Sequence, residues 1–267
     1  DLPNGTTAAS GNPIDDAQFF VAQHYRDFLN REPYAAGLGF WTNQITECGS
    51  DTACRDIRRV NVSAAFFLSI EFQQTGYLVY RIHKTAFGNL PGKPVPVTFQ
   101  EFLPETQQIG RGVVVGATGW EGQLEANKVA FLNEFVRRAD FITRYPTTLS
   151  PEAFVDTLNA NAGGVLSQAE RDALVNNLRG GTLSRAGVLR AISEDADLTQ
   201  REFNPAFVLM EYFGYMRRNP DDAPDANFDG YNFWLSKLNS FGGDFVRAEM
   251  VKAFISAGEY RGRFGPV

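Results

Sequence analysis

The sequence predicts an all-α protein built from four degenerate three-helix repeats of about sixty residues, and three observations carry that expectation. All three tryptophans stand in one local pattern, Trp-x-x-x-(Ile/Leu): Trp41 with Ile45, Trp120 with Leu124 and Trp234 with Leu238. Such a pair lies one turn apart on a helix face, where an indole and an aliphatic together anchor the helix to a core. An amphipathic segment ending in an acid, then an apolar residue and soon an aromatic, recurs four times. Its occurrences are Glu71-Phe72 with Tyr77, Asp140-Phe141 with Tyr145, Asp197-Leu198 with Phe203, and Glu259-Tyr260 with Phe264. By subtraction the acids are 69, 57 and 62 residues apart, a period that marks a repeat architecture. Alternating strand patterns are nearly absent.

Taken in order, residues 1 to 14, DLPNGTTAASGNPI, have linker composition and read as an extended N-terminal arm. Such an arm stays in place only if something pins it, its own domain or a neighbouring copy. The first unit opens on a helix with an apolar stripe through Phe20, Val21, His24, Tyr25, Phe28 and Leu29, expected to stop before Pro33, because proline disfavours α geometry in the residue ahead of it. A second helix holds Leu38, Trp41 and Ile45. A third, with Asp51 as N-cap, carries Ile57, Val60, Ala64, Phe67 and Leu68. In the second unit Trp120 takes the tryptophan place, and the glycine-fenced Val113-Val114-Val115 reads as an extended crossing segment. The third unit has Leu174-x-x-x-Leu178 where the others have Trp. In the fourth, residues 207 to 220 align without a gap on residues 20 to 33, Tyr25 falling on Tyr212 and Pro33 on Pro220. The units pair into residues 15 to 145 and 146 to 267, packed as one or two helical domains.

A content of 43% hydrophobic and 13% aromatic residues supplies a sizeable core in 267 residues. The formal net charge of −6 argues against nucleic acid or an anionic membrane as partner, since both need a basic footprint. No run of about 18 apolar residues is present, so no transmembrane segment is expected. Cys48 and Cys54 lie six apart in a polar helix-helix turn. That spacing suits a disulfide in an oxidising compartment, or a pair of free thiols elsewhere.

Four groups could carry chemistry. Asp225-x-Asn227-x-Asp229-Gly230, with Asp221 or Asp222 nearby, copies the first half of a calcium loop, in which alternate oxygens converge on a hard cation. Ser236 stands where the loop's last ligand should be Glu, so an Asx-rich turn capping the following helix is the competing reading. The repeated acids Glu71, Asp140, Asp197 and Glu259 read as caps or arginine partners, since repeat spacing does not bring two carboxyls together. His24 and His83, on aromatic stripes, read as satisfied core imidazoles, with no Ser or Cys partner nominated by a motif. The Asn4 and Asn61 sequons imply no glycan by themselves. Trp41, Trp120, Leu174 and Trp234 read as structural anchors, because a place that accepts Leu for Trp asks for apolar volume.

The stretches DFLNREPYAAGLGFWTNQI (27 to 45) and NVSAAFFLSIEF (61 to 72) resemble the bacterial domain-of-unknown-function family numbered 4214. Arg31, Pro33, Gly37, Leu38, Phe40, Trp41, Ser69, Glu71 and Phe72 match its pattern, while Tyr34 stands where the family prefers Asp. The fourth unit keeps Pro220, Gly230, Phe233 and Trp234 around an insertion. A weaker likeness, of architecture alone, runs to phycobilisome linker domains. The resemblance implies an extracellular or bacterial cell-surface module with no established activity. The expected function is therefore non-enzymatic: assembly or adhesion through other copies of itself or cell-surface proteins, the arm as a possible link. A calcium-dependent or carbohydrate-binding surface domain, with Ca2+ or a glycan as ligand, is the alternative.

Overall fold

Helix α1 (Ala17–Leu29) starts where the Asp16 carboxylate accepts the Phe19 N–H at 2.8 Å, which satisfies one of the orphan donors of a first turn. The computed structural model that shows this describes residues 11 to 266. The expected stop before Pro33 falls earlier. Asn30 adopts a left-handed conformation (φ 54°) and ends the helix three residues ahead of that proline. The same device recurs at Arg217 (φ 58°), three before Pro220, and a positive φ of another kind, open to glycine, ends a helix at Gly88 (φ 74°), three before Pro91.

The chain continues through α2 (Ala35–Thr46), α3 (Thr52–Phe67) and α4 (Ile70–Gln73). Asp51 caps α3 by accepting the Cys54 N–H at 3.0 Å, and Ser69 caps α4 through the Phe72 N–H. Next come α5 (Gly76–Phe87), α6 (Phe99–Gly110), α7 (Trp120–Phe135) and α8 (Ala139–Arg144). They lead into α9 (Pro151–Asn161), α10 (Gln168–Arg179), α11 (Arg185–Ser193) and α12 (Ala196–Arg201). The last set is α13 (Phe203–Glu211), which runs into a π-helical turn (Tyr212–Met216), then α14 (Asp229–Ser240), α15 (Met250–Ser256) and α16 (Gly258–Gly262). Among the described residues there is no strand. The Val113 to Val115 segment is a turn, with Val113 buried and Val115 half-buried.

Sets of three helices closed by a short one carry the repeated acids on α4, α8, α12 and α16. Within this order one expectation needs correction. Trp41, Leu174 and Trp234 sit on α2, α10 and α14, each with one further helix before the acid-bearing one. Trp120 instead opens α7, which leads straight into α8 and Asp140. In the second set the corresponding helix is α6, whose apolar core residues are Phe102 and Ile109, so the Trp120–Leu124 spacing marks a helix but not the same place in the order.

Buried residues from Ile14 to Tyr260 form one hydrophobic cluster, and α5 packs on α9 and α11 while α3 packs on α15. The core thus continues across the 145/146 boundary. The first and last sets match in side-chain geometry as well as in order. Phe40 meets Trp41 edge-on at 4.9 Å and Phe233 meets Trp234 at 5.1 Å; Trp41 lies 5.9 Å from Phe66 and Trp234 lies 5.7 Å from Phe254.

Glycine holds a fixed place in this geometry for steric reasons. A Cβ at Gly37 would overlap the Tyr25 hydroxyl and the Tyr34 ring, and one at Gly230 would stand 2.6 Å from the Tyr212 hydroxyl. Gly39, two residues along the same helix, meets nothing within 4 Å. The two α2 glycines should therefore respond oppositely to alanine. Gly37→Ala should lose about 1–3 kcal/mol through overpacking, while Gly39→Ala should gain up to about 1 kcal/mol of helix propensity. Urea midpoints of the two variants check this, and equal signs would refute it.

Candidate functional site

The repeated acids are the natural starting point, and they divide into two kinds. Glu71, buried on α4, takes a bidentate pair from Arg31, with Nε and Nη2 each at 2.8 Å. Glu259 on α16 takes the same pair from Arg218, at 2.6 and 2.9 Å. Each guanidinium lies over the matching tyrosine, Arg31 at 4.9 Å from Tyr25 and Arg218 at 5.5 Å from Tyr212, so hydrogen-bond, charge and cation-π attraction act together. Asp140 and Asp197 do otherwise: Asp140 accepts the N–H of Phe141, and Asp197 lies in the first turn of α12, capped by Asp195. Charge-dipole attraction at a helix start accounts for both. Two of the acids are thus arginine partners across about forty residues, and two sit in the first turns of their own helices.

His24 and His83 are buried and satisfied. His24 holds the Phe20 carbonyl at 2.8 Å through Nδ1 and Ser63 Oγ at 2.6 Å through Nε2, and burial pushes its pKa down to about 3. Ser63 in turn bonds the Tyr215 hydroxyl. Sequence reasoning nominated no Ser partner, because Ser63 is 39 residues away and no local motif links them. A Ser–His pair is the start of a nucleophile and base, yet Ser63, His24 and Tyr215 are all sealed in the core. The chain of hydrogen bonds therefore ties α1, α3 and the π-helical turn together. His83 Nε2 lies 2.8 Å from Glu105, which Arg138 also engages at 2.5 Å.

In the acidic loop before α14 the candidate calcium ligands go to different partners. Asp221 bonds Lys93 at 2.6 Å and Asp225 bonds Arg218 at 2.7 Å, while Asn227 accepts the Asp229 N–H at 2.9 Å, which is an Asx turn. Asp222 receives the backbone and side-chain N–H groups of Asn219. Among the described residues no three His, Cys, Asp or Glu side chains gather as a metal site. The geometry is that of the turn, with two carboxylates neutralised by cations.

Cys48 and Cys54 stand at disulfide distance, their Cα atoms 5.6 Å apart, and close the turn between α2 and α3. Trp41, Trp120 and Trp234 are half-buried against the core, and Leu174 is packed there too. Beside Trp41 and Trp234 the matching phenylalanines point outward, Phe40 at 56% and Phe233 at 59% exposure.

Residues 1 to 10 of the expected arm lie outside the described residues. Its remainder is pinned by the chain's own C-terminal segment. Asn12 Nδ2 donates to the Arg261 and Pro266 carbonyls at 2.9 and 3.2 Å, Ile14 is buried, and Arg59 donates to the Ile14 carbonyl at 2.7 Å. Next to this junction opens a cleft of about 670 Å³ with Asp15, Asp56, Arg55, Arg59, Lys252 and Arg261 on its walls. A smaller groove of about 210 Å³ lies by Trp41, walled by Tyr25, Tyr34 and Phe66 with the Arg31–Glu71 pair in it. No family model, curated protein or solved structure matches the chain.

Proposed function

We propose that this chain is a non-enzymatic module of the bacterial cell surface or extracellular space, related to the domain-of-unknown-function family numbered 4214, that joins proteins by presenting like contacts from its repeated helical sets. The observation that carries the reading is the outward Phe40 and Phe233. Each lies at the same place beside a half-buried tryptophan, on α2 and α14. A tryptophan anchor needs no exposed phenylalanine beside it, and matched apolar projections on a rigid body suit contact with another surface. Ile57, on the same first set of helices, adds a further exposed apolar side chain. A closed Cys48–Cys54 pair fits an oxidising location.

Assembly with other copies is the form tested first. Sedimentation of the full chain over a range of concentration should show reversible self-association. The double variant Phe40→Ser with Phe233→Ser should shift it to monomer while its thermal midpoint changes little. Removal of residues 1 to 10 measures the arm's share. A strictly monomeric parent chain at high concentration would remove the assembly form.

A further inference from the structure

The acidic loop and the Trp41 groove explain each other once the first and last helical sets are compared position by position. Tyr25, Arg31, Trp41, Phe66 and Glu71 correspond to Tyr212, Arg218, Trp234, Phe254 and Glu259. Between the proline and the tryptophan, however, the last set has 13 residues (Pro220 to Trp234) and the first has 7 (Pro33 to Trp41). The six additional residues lie in the loop carrying Asp225. Its carboxylate accepts from Arg218 Nη2 at 2.7 Å, the same nitrogen that holds Glu259 at 2.9 Å, and the Asp222 carbonyl takes Nη1 at 3.0 Å. Arg218 thus serves two carboxylates and a loop carbonyl at once. The loop's negative charge also reaches Tyr212, whose hydroxyl is pushed up to about 12, first by burial and then by Asp225.

Arg31 has the shorter connection and no such loop. It spends two N–H groups on Glu71 and one, at 3.4 Å, on the Glu32 carbonyl. A guanidinium carries five N–H donors in a fixed fork, so further donors belong to a side chain that lines the groove. Around them stand Tyr34 at 47% exposure, half-buried Trp41, and Ile70 at 56% exposure. The pair Arg31–Glu71 is neutral together, as Arg218–Glu259 is, and the latter accepts an additional aspartate.

We infer that the Trp41 groove binds a short acidic segment of another protein, seating an aspartate on Arg31 as Asp225 seats on Arg218, with the small residues around that aspartate against Tyr34 and Trp41. The loop sequence Asp222-Ala-Pro-Asp225-Ala-Asn227 describes the chemistry of the occupant: a carboxylate for the arginine, Asp225 in the loop, set among small side chains with a second aspartate three residues before it. Recognition of this kind is charge-assisted and geometrically specific. It does not require the chain to self-associate, so it stands or falls apart from the assembly reading.

The test titrates the full chain with a blocked hexapeptide, Asp-Ala-Pro-Asp-Ala-Asn, and follows the three tryptophan indole N–H signals by NMR. The expected result is a saturable shift at Trp41 and none at Trp234, whose site holds its own loop. Replacing the second Asp of the peptide by Asn should weaken binding about tenfold or more, the worth of one charge-assisted hydrogen bond. The variant Ile70→Asp should do the same by facing the incoming carboxylate with a like charge. Ile70 is exposed in the first turn of α4, where Asp is tolerated, so folding is preserved and unchanged Trp234 and Trp120 signals verify it. Absence of a saturable Trp41 shift overturns the proposal, as does binding that survives both substitutions.

Discussion

Replacing Glu211 by Gln should stabilise the protein at neutral and alkaline pH, by more the higher the pH. Glu211 lies at the end of α13, fully buried, and neither carboxyl oxygen has a hydrogen-bond partner among the described residues. Burial alone pushes its pKa well above 4.5, because an unpaired carboxylate cannot keep its charge in a low-dielectric interior. A raised carboxyl pKa means that the folded state keeps a proton that the unfolded state releases above about 4.5. Stability is then full below that pH and falls as pH rises, by about 1.4 kcal/mol per unit until the folded pKa is reached. His24 has the opposite sign. Its pKa is lowered to about 3 by burial, so the unfolded state takes up a proton below about 6.5 that the folded state refuses, and stability falls on acidification at the same slope. Between about pH 4.5 and 6.5 the two slopes cancel, which places a plateau of stability there. Urea unfolding from pH 4.5 to 8.5 should give a parent curve that declines above pH 6.5. The Glu211→Gln curve should instead stay level above that pH, so that the gap between the two proteins widens as pH rises. Parallel curves for the two proteins would show that Glu211 is not the group responsible.

His24 and Glu211 also illustrate what the sequence did and did not disclose. The gapless alignment of residues 20 to 33 on 207 to 220 places His24 opposite Glu211, so the two polar intrusions into the core occupy the same place. Only the histidine drew notice, since FVLMEYFGYM reads as apolar on all sides and gives no hint which way Glu211 points. The all-helical class and the helix start at Asp51 were legible because they depend on residues within one or two turns. The acids were legible as a repeat, but their arginines became visible only in three dimensions. Arg31 and Arg218 each stand two residues before the repeated proline, a signal present in the chain. Trp120 misled for the reason that i, i+4 spacing identifies a helix face and says nothing of the helix's rank within a set. Three side chains in one loop can match a calcium pattern in sequence, yet Arg218 engages Asp225 of that pattern and Lys93, from a distant part of the chain, engages the neighbouring Asp221.

The two aspartates that tie the chain's ends together should differ sharply in worth. Asp27 on α1 takes a bidentate pair from Arg263, at 2.9 and 3.0 Å, across 236 residues. Arg217, with its Nε at 4.0 Å, adds a second positive charge and donates to the Asp27 carbonyl at 3.0 Å. Arg263 also donates to the Tyr215 carbonyl at 2.7 Å, so one guanidinium joins α1, the π-helical turn and the C-terminal segment. The Asp27 side chain is 6% exposed and its two arginines 22% and 26%. Asp15 pairs with Arg261 in the same bidentate way, at 2.7 and 2.9 Å across 246 residues, but its side chain is 55% exposed. The bidentate geometry and loop length are therefore alike, while Asp27 is far more buried and has Gln23 and Arg217 as further partners. Asp27→Ala should cost about 3–5 kcal/mol, because it leaves two guanidinium groups without a counter-charge in a place that solvent reaches poorly. Asp15→Ala should cost under about 1 kcal/mol, since water screens the exposed pair and solvates Arg261 once it is released. The further change Arg263→Met in the Asp27→Ala background should recover part of the loss by removing the orphaned charge. Chemical denaturation of the four proteins decides the matter. Equal costs for the two aspartates would mean that connection of the chain ends, and not desolvation of the charges, sets the energy of this seam.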